Sequence, residues 1–157
     1  MRNNELTHIW LCAVILLLSV GIPAKAQEVS GESDIKGLLT EFFVAMKAKN
    51  IQVLQDSFHS DAVMNTTLDT GDFATLGHAK VADFLTRVGT SQAVLDEEIL
   101  SIEVRIDGNL AHAWTPYKFF VDGNFSHCGV NSFQLIKTET GWKIVHIIDT
   151  RRKEGCG

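Results

Sequence analysis

Two long apolar stretches near the C-terminus, residues 126–137 and 142–152, constrain the fold of this chain more than any other part of the sequence. Both are rich in β-branched and aromatic residues, and they flank a short polar segment ending in Gly141, a pattern that predicts a β-hairpin. Both stretches carry apolar residues on both faces, as Leu135 and Ile136 illustrate for the first one. Because strands of this kind are buried on both sides, we expect the hairpin to lie at the centre of a sheet.

Upstream of the hairpin, the apolar pattern changes from a helical period to a β period. The predicted elements are helices over residues 33–50, 51–58 and 77–88, a short strand over 61–66 and a loop over 69–75. From Leu100 onward, apolar and polar residues alternate, and glycine-containing turns follow Asp107 and Asp122. Helices followed by a curved antiparallel meander predict an α+β fold. We expect a roll with three N-terminal helices on the concave face of the sheet, in a single domain over residues 33–157.

The N-terminus has the layout of a secretory signal peptide. Residues 9–22 form a continuous apolar run, and Ala24-Lys25-Ala26 is a small-x-small cleavage site, which predicts a signal peptide over residues 1–26. A disordered lead over residues 27–32 would follow. The run is shorter than the roughly 20 apolar residues that span a bilayer, so we expect a periplasmic or secreted protein with no membrane contact after cleavage. An uncleaved anchor helix is the alternative.

The net charge limits the possible binding partners, and the cysteine content bears on disulfide formation. The net charge of −5 gives no electrostatic basis for binding nucleic acid. Downstream of the predicted signal peptide, the sequence has two cysteines, Cys128 and Cys156. An even number of cysteines in an oxidising compartment predicts one disulfide. Two free thiols or an intermolecular bridge are the alternatives.

Six short motifs resemble the nuclear-transport-factor-2-like (NTF2-like) superfamily, whose cystatin-like cone is shared by ketosteroid isomerases, scytalone dehydratases and SnoaL-type cyclases. They are the apolar stripe over 35–46, Phe58-His59-Ser60-Asp61-Ala62, Trp114-Thr115-Pro116-Tyr117, Cys128-Gly129-Val130, Gly141-Trp142-Lys143-Ile144 and Asp149-Thr150-Arg151-Arg152. The chain is most similar to the small exported branch labelled lumazine-binding and SnoaL-like. The resemblance implies a pocket between the first helix and the concave face of the sheet. It implies no particular activity, because these cones include enzymes and non-enzymes.

Strand alternation predicts which side chains share a face of the sheet. If residues 123 and 124 form a two-residue loop, one face carries Ala113, Thr115, Tyr117, Gln134 and His146, and the other carries His112, Trp114, Asn131 and Asp149. One bulge would exchange the faces of neighbouring strands.

The candidate ligand-binding residues combine aromatic rings with amides. Trp114 and Tyr117 could stack on a flat molecule while Asn131 and Gln134 bind its polar edge, with His146 nearby. This set predicts a binding module for a small aromatic or heterocyclic ligand, with no cofactor. Trp114 would otherwise be a core or dimer-interface residue, and a homodimer formed through the sheet is a third hypothesis.

The candidate catalytic residues are His59 with Asp61, and Asp149. A histidine beside a carboxylate could exchange protons, and an aspartate among apolar neighbours could act as a base. These predict a cofactor-free isomerase or dehydratase as the alternative function. Against it, Asp149 could simply pair with Arg151, while His59 could bond helix-end carbonyls and Asp61 could cap a turn. In addition, no second acid or oxyanion-binding tyrosine is evident. The histidines show no metal-ligand spacing, so no metal site is predicted.

Overall fold

The computed structural model describes residues 24–156, with side chains from Ser30 onward. Within these residues three helices and seven strands occur along the chain. They are α1 (Ala24–Ala48), α2 (Ile51–Ser57), β1 (Phe58–Asp69), β2 (Ala74–Ala79), α3 (Val81–Thr90), β3 (Leu95–Ile99), β4 (Glu103–Asp107), β5 (Leu110–Val121), β6 (Asn124–Thr138) and β7 (Gly141–Asp149). The predicted α+β cone is confirmed. The predicted signal-peptide residues 1–23 lie outside the described part.

Helix α1 lays its apolar stripe on the sheet, as its helical period predicts. Ile35 and Leu39 are fully buried, and Phe42 and Met46 are nearly so. The prediction of a disordered lead over residues 27–32 is wrong, because these residues belong to α1. The added turns are packed: Gly31 is buried, and a Cβ placed on it would lie 3.1 Å from the Ile106 side chain. Tertiary packing of this kind stabilises a helix whose sequence alone is weakly helical.

The sheet has the strand order β2-β1-β7-β6-β5-β3, and β4 pairs with the part of β5 that β3 leaves free. The predicted antiparallel meander is present as β4-β5-β6-β7, with the hairpin β6-β7 inside the sheet. Strand β1 adds to it by running parallel to β7.

Two strands were missed by the sequence analysis. The predicted loop over residues 69–75 is present but shorter, over residues 70–73, because β2 begins at Ala74. The predicted start of the third helix at Gly77 is wrong, because Gly77 lies in β2 and α3 begins at Val81. Strand β2 is largely exposed at the sheet edge, so its sequence lacks a clear apolar alternation. Strand β3 precedes the predicted strand start at Leu100, which instead lies between β3 and β4.

Pro116 lies where β5 changes its partner from β3 to β4. Its carbonyl accepts a hydrogen bond from the Leu100 amide (2.9 Å) between those two strands. Because proline has no N–H to donate, this break in the pairing is a position where it disrupts no ladder hydrogen bond.

Two one-residue bulges decide which side chains face the helices. Ser126 is the extra residue between β5 and β6, and Val145 is the extra residue between β6 and β7. The first bulge makes the predicted face assignment wrong: Tyr117 shares the concave face with Asn131 and Asp149. His112 and Trp114 share the convex face with Gln134 and His146, since each bulge moves a strand's side chains to the other face.

The predicted disulfide between Cys128 and Cys156 is present. Cys128 is buried at the position where β6 also pairs with Arg152, just after β7. The tail thus folds back over the end of the central hairpin. No helix within residues 24–156 has the length and apolar character needed to cross a membrane.

Candidate functional site

A cavity of about 500 Å³ lies between the helices and the concave face of the sheet. Its walls are mainly aromatic and aliphatic, and they are formed by Phe42, Phe43, Met46, Met64, Phe84, Val88, Leu95, Phe119, Phe133 and Ile147. The Phe42 ring packs edge-on against Phe133 at a centroid distance of 6.2 Å and is stacked with Phe84 at 6.0 Å. The cavity is therefore shaped by a rigid aromatic cluster rather than by loops.

Polar side chains cross this apolar surface in one row. Thr66, Asp149, Asn131 and Thr115 are direct register partners on β1, β7, β6 and β5. On the apolar side of this row, Met64, Ile147, Phe133 and Ala113 form the next row in the same strands. Thr66, Asp149 and Asn131 line the cavity, and Thr115 is fully buried behind it. Because strands are about 4.8 Å apart, the polar row crosses three adjacent strands of the cavity wall.

Glu97 on β3 reaches this polar row from the side. Its Oε1 accepts a hydrogen bond from Asn131 Nδ2 at 2.6 Å. Burial raises the pKa of the Glu97 carboxyl from 4.5 to about 7, the negative charge of Asp149 adds to the rise, and the Asn131 bond and Arg151 oppose it. The residue keeps some accessible surface because it lines the cavity. At neutral pH this carboxyl is thus divided between its protonated and ionised forms.

Asp149 is held by an ion pair at the rim of the cavity. Arg151 Nε donates to Asp149 Oδ2 at 2.8 Å; the Asp149 side chain is 11% exposed and that of Arg151 is 58% exposed. The carboxylate is inside and the guanidinium reaches solvent. This pair places a carboxylate and a guanidinium together beside Glu97.

Tyr117 and His127 complete the polar end of the cavity. The Tyr117 hydroxyl donates to the Thr150 carbonyl (2.9 Å), and burial, followed by the charges of Asp149 and Glu97, raises the pKa of this phenol. The His127 ring lies 5.8 Å from the Tyr117 ring, and burial, followed by the charge of Arg151, lowers the pKa of this imidazole. Both side chains therefore remain neutral at pH 7.

The family model for the SnoaL-like domain matches residues 27–148, most of the chain and all of the strands that form the cavity. The chain belongs to the SnoaL-like family. No curated protein matches it.

Solved structures with the same fold share little sequence with this SnoaL-like domain. An NTF2-like protein with a cystatin-like fold from Novosphingobium aromaticivorans is 15% identical, with a TM-score of 0.63 over 84% of this chain and 88% of that one. A candidate scytalone dehydratase from the same organism is 11% identical, with a TM-score of 0.66 over 82% and 88% of the two chains. An NTF2-like superfamily protein from Salmonella enterica is 16% identical, with a TM-score of 0.62 over 82% and 96%. At such identities the likeness shows the fold alone.

The cavity of the SnoaL-like domain gathers only some of the residues proposed from the sequence. Tyr117, Asn131 and Asp149 line it. Trp114 does not: it is 43% exposed on the convex face, where it lines a separate shallow groove with His112 and Arg105. Since a side chain on the convex face cannot contact a ligand on the other side of the sheet, the structure removes Trp114 from the ligand-binding set.

Gln134 and His146 also lie on the convex face, as register partners of each other. His146 Nε2 lies 2.9 Å from Asn65 Oδ1, and the Asn65 amide nitrogen lies 2.9 Å from His78 Nδ1. The expectation that Gln134 and His146 line the pocket with Tyr117 is therefore wrong.

His59 and Asp61 form a pair outside the cavity. His59 Nδ1 lies 3.6 Å from Asp61 Oδ2, and it accepts a hydrogen bond from the Asp61 amide at 3.2 Å. The Asp61 side chain is 88% exposed, and neither residue lines the cavity. This contact is local to the first residues of β1 and lies away from the cavity, which does not favour an acid/base role.

Sequence analysis missed Glu97 as a site residue, and it named Arg151 only as the partner of Asp149, a pair that is present. Glu97 stands in Leu95-Asp96-Glu97-Glu98-Ile99, where alternation places Leu95, Glu97 and Ile99 on one face. A carboxylate between two apolar residues at that spacing is the signal that could have identified it. Among residues 24–156, no group of three or more histidine, cysteine and acidic side chains is placed to hold a metal ion.

Proposed function

We propose that the domain binds a small aromatic or heterocyclic molecule in the cone cavity and exchanges a proton with it through Glu97, in a cofactor-free isomerisation or dehydration. The observation that carries this proposal is the carboxyl of Glu97 at the polar end of an apolar cavity, where burial raises its pKa to about 7. A general acid or base is most effective when its pKa lies near the working pH.

The cavity supports the binding step. Its volume of about 500 Å³ falls in the usual range for small-molecule sites. Aromatic rings supply most of the wall, while hydrogen-bonding groups are concentrated in the row that contains Asn131 and Asp149. A flat ring system with one polar edge fits this division, because the ring can stack while the edge meets the row.

The polar groups support the proton-transfer step. Asn131 holds Glu97 through the 2.6 Å hydrogen bond and so orients the carboxyl. Asp149 remains a candidate as the second acidic group, fixed by Arg151. The sequence shows no obvious second acid, which is one of the two arguments against an isomerase. Glu97 and Asp149 supply two acids in one pocket and so favour an enzyme over a binding module.

A general probe of a buried carboxylate base tests the proposal without knowledge of the natural substrate. In 5-nitrobenzisoxazole, a base removes the ring C3 proton, the C–H electrons form a nitrile, and the N–O bond breaks to give a coloured phenolate. With Glu97 as the base, we expect saturable turnover whose rate rises with pH around a midpoint near 7. Glu97→Gln should lower the rate by about 100-fold or more.

Glu98→Gln is the matched control, because Glu98 is the exposed neighbour of Glu97. Its register partner on β5 is Lys118, and its side chain does not line the cavity. Its turnover should equal that of the wild type. Binding of the probe without turnover would refute the proton-transfer half and leave a binding module. No binding of this or any other flat ring compound would refute both halves.

We also infer that two copies associate through the convex face of the sheet. The exposed Trp114 on this face supports the inference, because tryptophan is enriched at protein–protein interfaces. Light scattering at micromolar concentration should show a dimer, and Trp114→Glu should yield monomers. Equal dimer content in both proteins would overturn this arrangement.

Export is the third part of the proposal. The Cys128–Cys156 disulfide supports an oxidising compartment, where such bridges persist. Expression of the full sequence in a bacterium should give periplasmic protein that begins at Gln27, as mass spectrometry would show. Retention of residues 1–26 in the cytoplasm would contradict it. The closer likeness to the lumazine-binding branch stays a prediction, and retained ligands in the same mass spectra would test it.

A further inference from the structure

The segment that follows β7 is fastened to β6 by several independent contacts. The Thr150 amide donates to the Val130 carbonyl at 3.1 Å, and Cys128 and Arg152 exchange two backbone hydrogen bonds of 2.8 Å each. The disulfide from Cys128 to Cys156 then closes the segment at its far end. Residues 150–156 are therefore tied at both ends to the same short piece of β6.

Gly129 is the residue of β6 on which this segment packs most closely. A Cβ placed on Gly129 would lie 1.8 Å from the Thr150 carbonyl oxygen and 2.9 Å from the Tyr117 hydroxyl. Both distances are too short for any side chain, so only glycine allows the Thr150 carbonyl to turn over β6 towards Tyr117. The Tyr117 hydroxyl donates its hydrogen to that carbonyl at 2.9 Å.

The position of Arg151 depends on how Thr150 packs on Gly129, because Arg151 directly follows Thr150. Its guanidinium meets Asp149 at the cavity rim and lines the cavity. The position of Arg151 is thus set by a turn whose carbonyl is held by Tyr117 and whose end is held by the disulfide.

We propose that residues 150–156 form a disulfide-tethered clamp, seated on Gly129 and Tyr117, which positions Arg151 against Asp149 and so sets the electrostatic environment of Glu97. The proposal rests on the proposed function in taking Glu97 as the proton-transferring group. Tyr117 is a positioning residue in this scheme, because its hydroxyl hydrogen is donated to Thr150 and not offered to a ligand. Opening the disulfide would loosen the clamp, so the site is sensitive to reduction.

The charged and titratable groups around Glu97 come from several elements. Tyr117 lies on β5, His127 on β6, Asp149 on β7 and Arg151 in the clamp. Arg87 of α3 and His78 of β2 also line the cavity. From α1, Lys47 is paired with Asp96 at 2.6 Å. Of these groups, Arg151 lowers the pKa of Glu97 and Asp149 raises it. Displacing Arg151 removes its lowering effect and leaves the charge of Asp149 without its partner. Both consequences raise the pKa of Glu97.

The test is a titration of the Glu97 side-chain carboxyl by ¹³C NMR in the oxidised, ligand-free protein, compared with three perturbations. Gly129→Ala forces the Thr150 carbonyl away, Tyr117→Phe removes only its hydrogen bond, and reduction of the wild type opens the disulfide. Each should raise the Glu97 midpoint, by about half a pH unit or more for Gly129→Ala. Amide hydrogen exchange of Arg152 should become faster in the reduced protein.

Gly37→Ala is the matched control, since Gly37 is exposed on α1 and a Cβ there meets nothing within 4 Å. Its midpoint should equal that of the wild type. If Gly129→Ala does not fold, Tyr117→Phe and the reduced wild type still decide. An unchanged midpoint in both would overturn the clamp. The measurement needs neither ligand nor turnover, so the clamp can fail while the proposed chemistry stands, and the reverse.

Discussion

Both faces of the sheet carry polar side chains, but these side chains have different roles on the two faces. On the concave face, Glu97, Asn131 and Asp149 surround an apolar cavity, and burial moves the pKa of one of them to about 7. On the convex face, Gln134 and His146 are partly exposed, and His146 is bonded to Asn65. The residue types alone do not separate these roles. What separates them is desolvation, which acts only where the helices cover the sheet.

The largest contrast between the faces should appear in stability. Phe133 is 1% exposed and packs against Phe42 and Phe43, so Phe133→Ala should cost about 3–5 kcal/mol of unfolding free energy. Trp114→Ala on the convex face should cost far less in the monomer. Urea denaturation of both variants, measured at a concentration that keeps them monomeric, checks this. Comparable losses would mean that the convex face is also covered.

A second contrast concerns the pH dependence of stability. Because the pKa of Glu97 is raised from 4.5 to about 7 in the folded protein, the folded state binds more protons than the unfolded state between these values. The contribution of Glu97 to stability is then fully present below pH 4.5 and is lost as the pH rises to about 7. Glu97→Gln should remove this decline. Urea midpoints of wild type and variant between pH 4 and 8 would show it, and parallel curves would contradict it.

The smallest effect sharpens the comparison between two amides in the same strand. Asn131 and Gln134 both lie on β6 but face opposite sides, and the Asn131 hydrogen bond lowers the pKa of Glu97. Asn131→Ala should therefore raise the midpoint of the Glu97 titration, whereas Gln134→Ala should leave it unchanged. A shift in both variants would show that general loosening, and not the bond, is responsible.

Much of the fold could be predicted from the sequence because it depends on strong local patterns. The apolar stripe from Ile35 to Met46 fits only a helix, and the β-rich stretches around Gly141 fit only a hairpin. Edge strands were missed because exposed residues such as those of β2 carry little periodicity. The disulfide could be predicted from the even cysteine count and the predicted oxidising compartment, and it is present.

The site was harder to predict because it depends on register. A single extra residue, Ser126, decides whether Tyr117 shares a face with Asn131 or with Gln134. No local signal marks that bulge, so the predicted ligand set mixed residues from both faces. Glu97 was missed for a different reason: it lies in a strand that pairs with β5 some twenty residues later in the chain, and its pKa depends on groups from other strands.

The central claim is that Glu97 is a carboxyl that titrates near neutral pH inside the cavity. The most direct measurement is the ¹³C NMR titration of the wild-type glutamate side chains, with Glu97 assigned by the signal that Glu97→Gln removes. We predict a midpoint near 7 for this signal alone, well above the midpoints of the exposed glutamates. A midpoint near 4.5, the ordinary value, would show that the carboxyl is solvated and would contradict the proposed proton transfer.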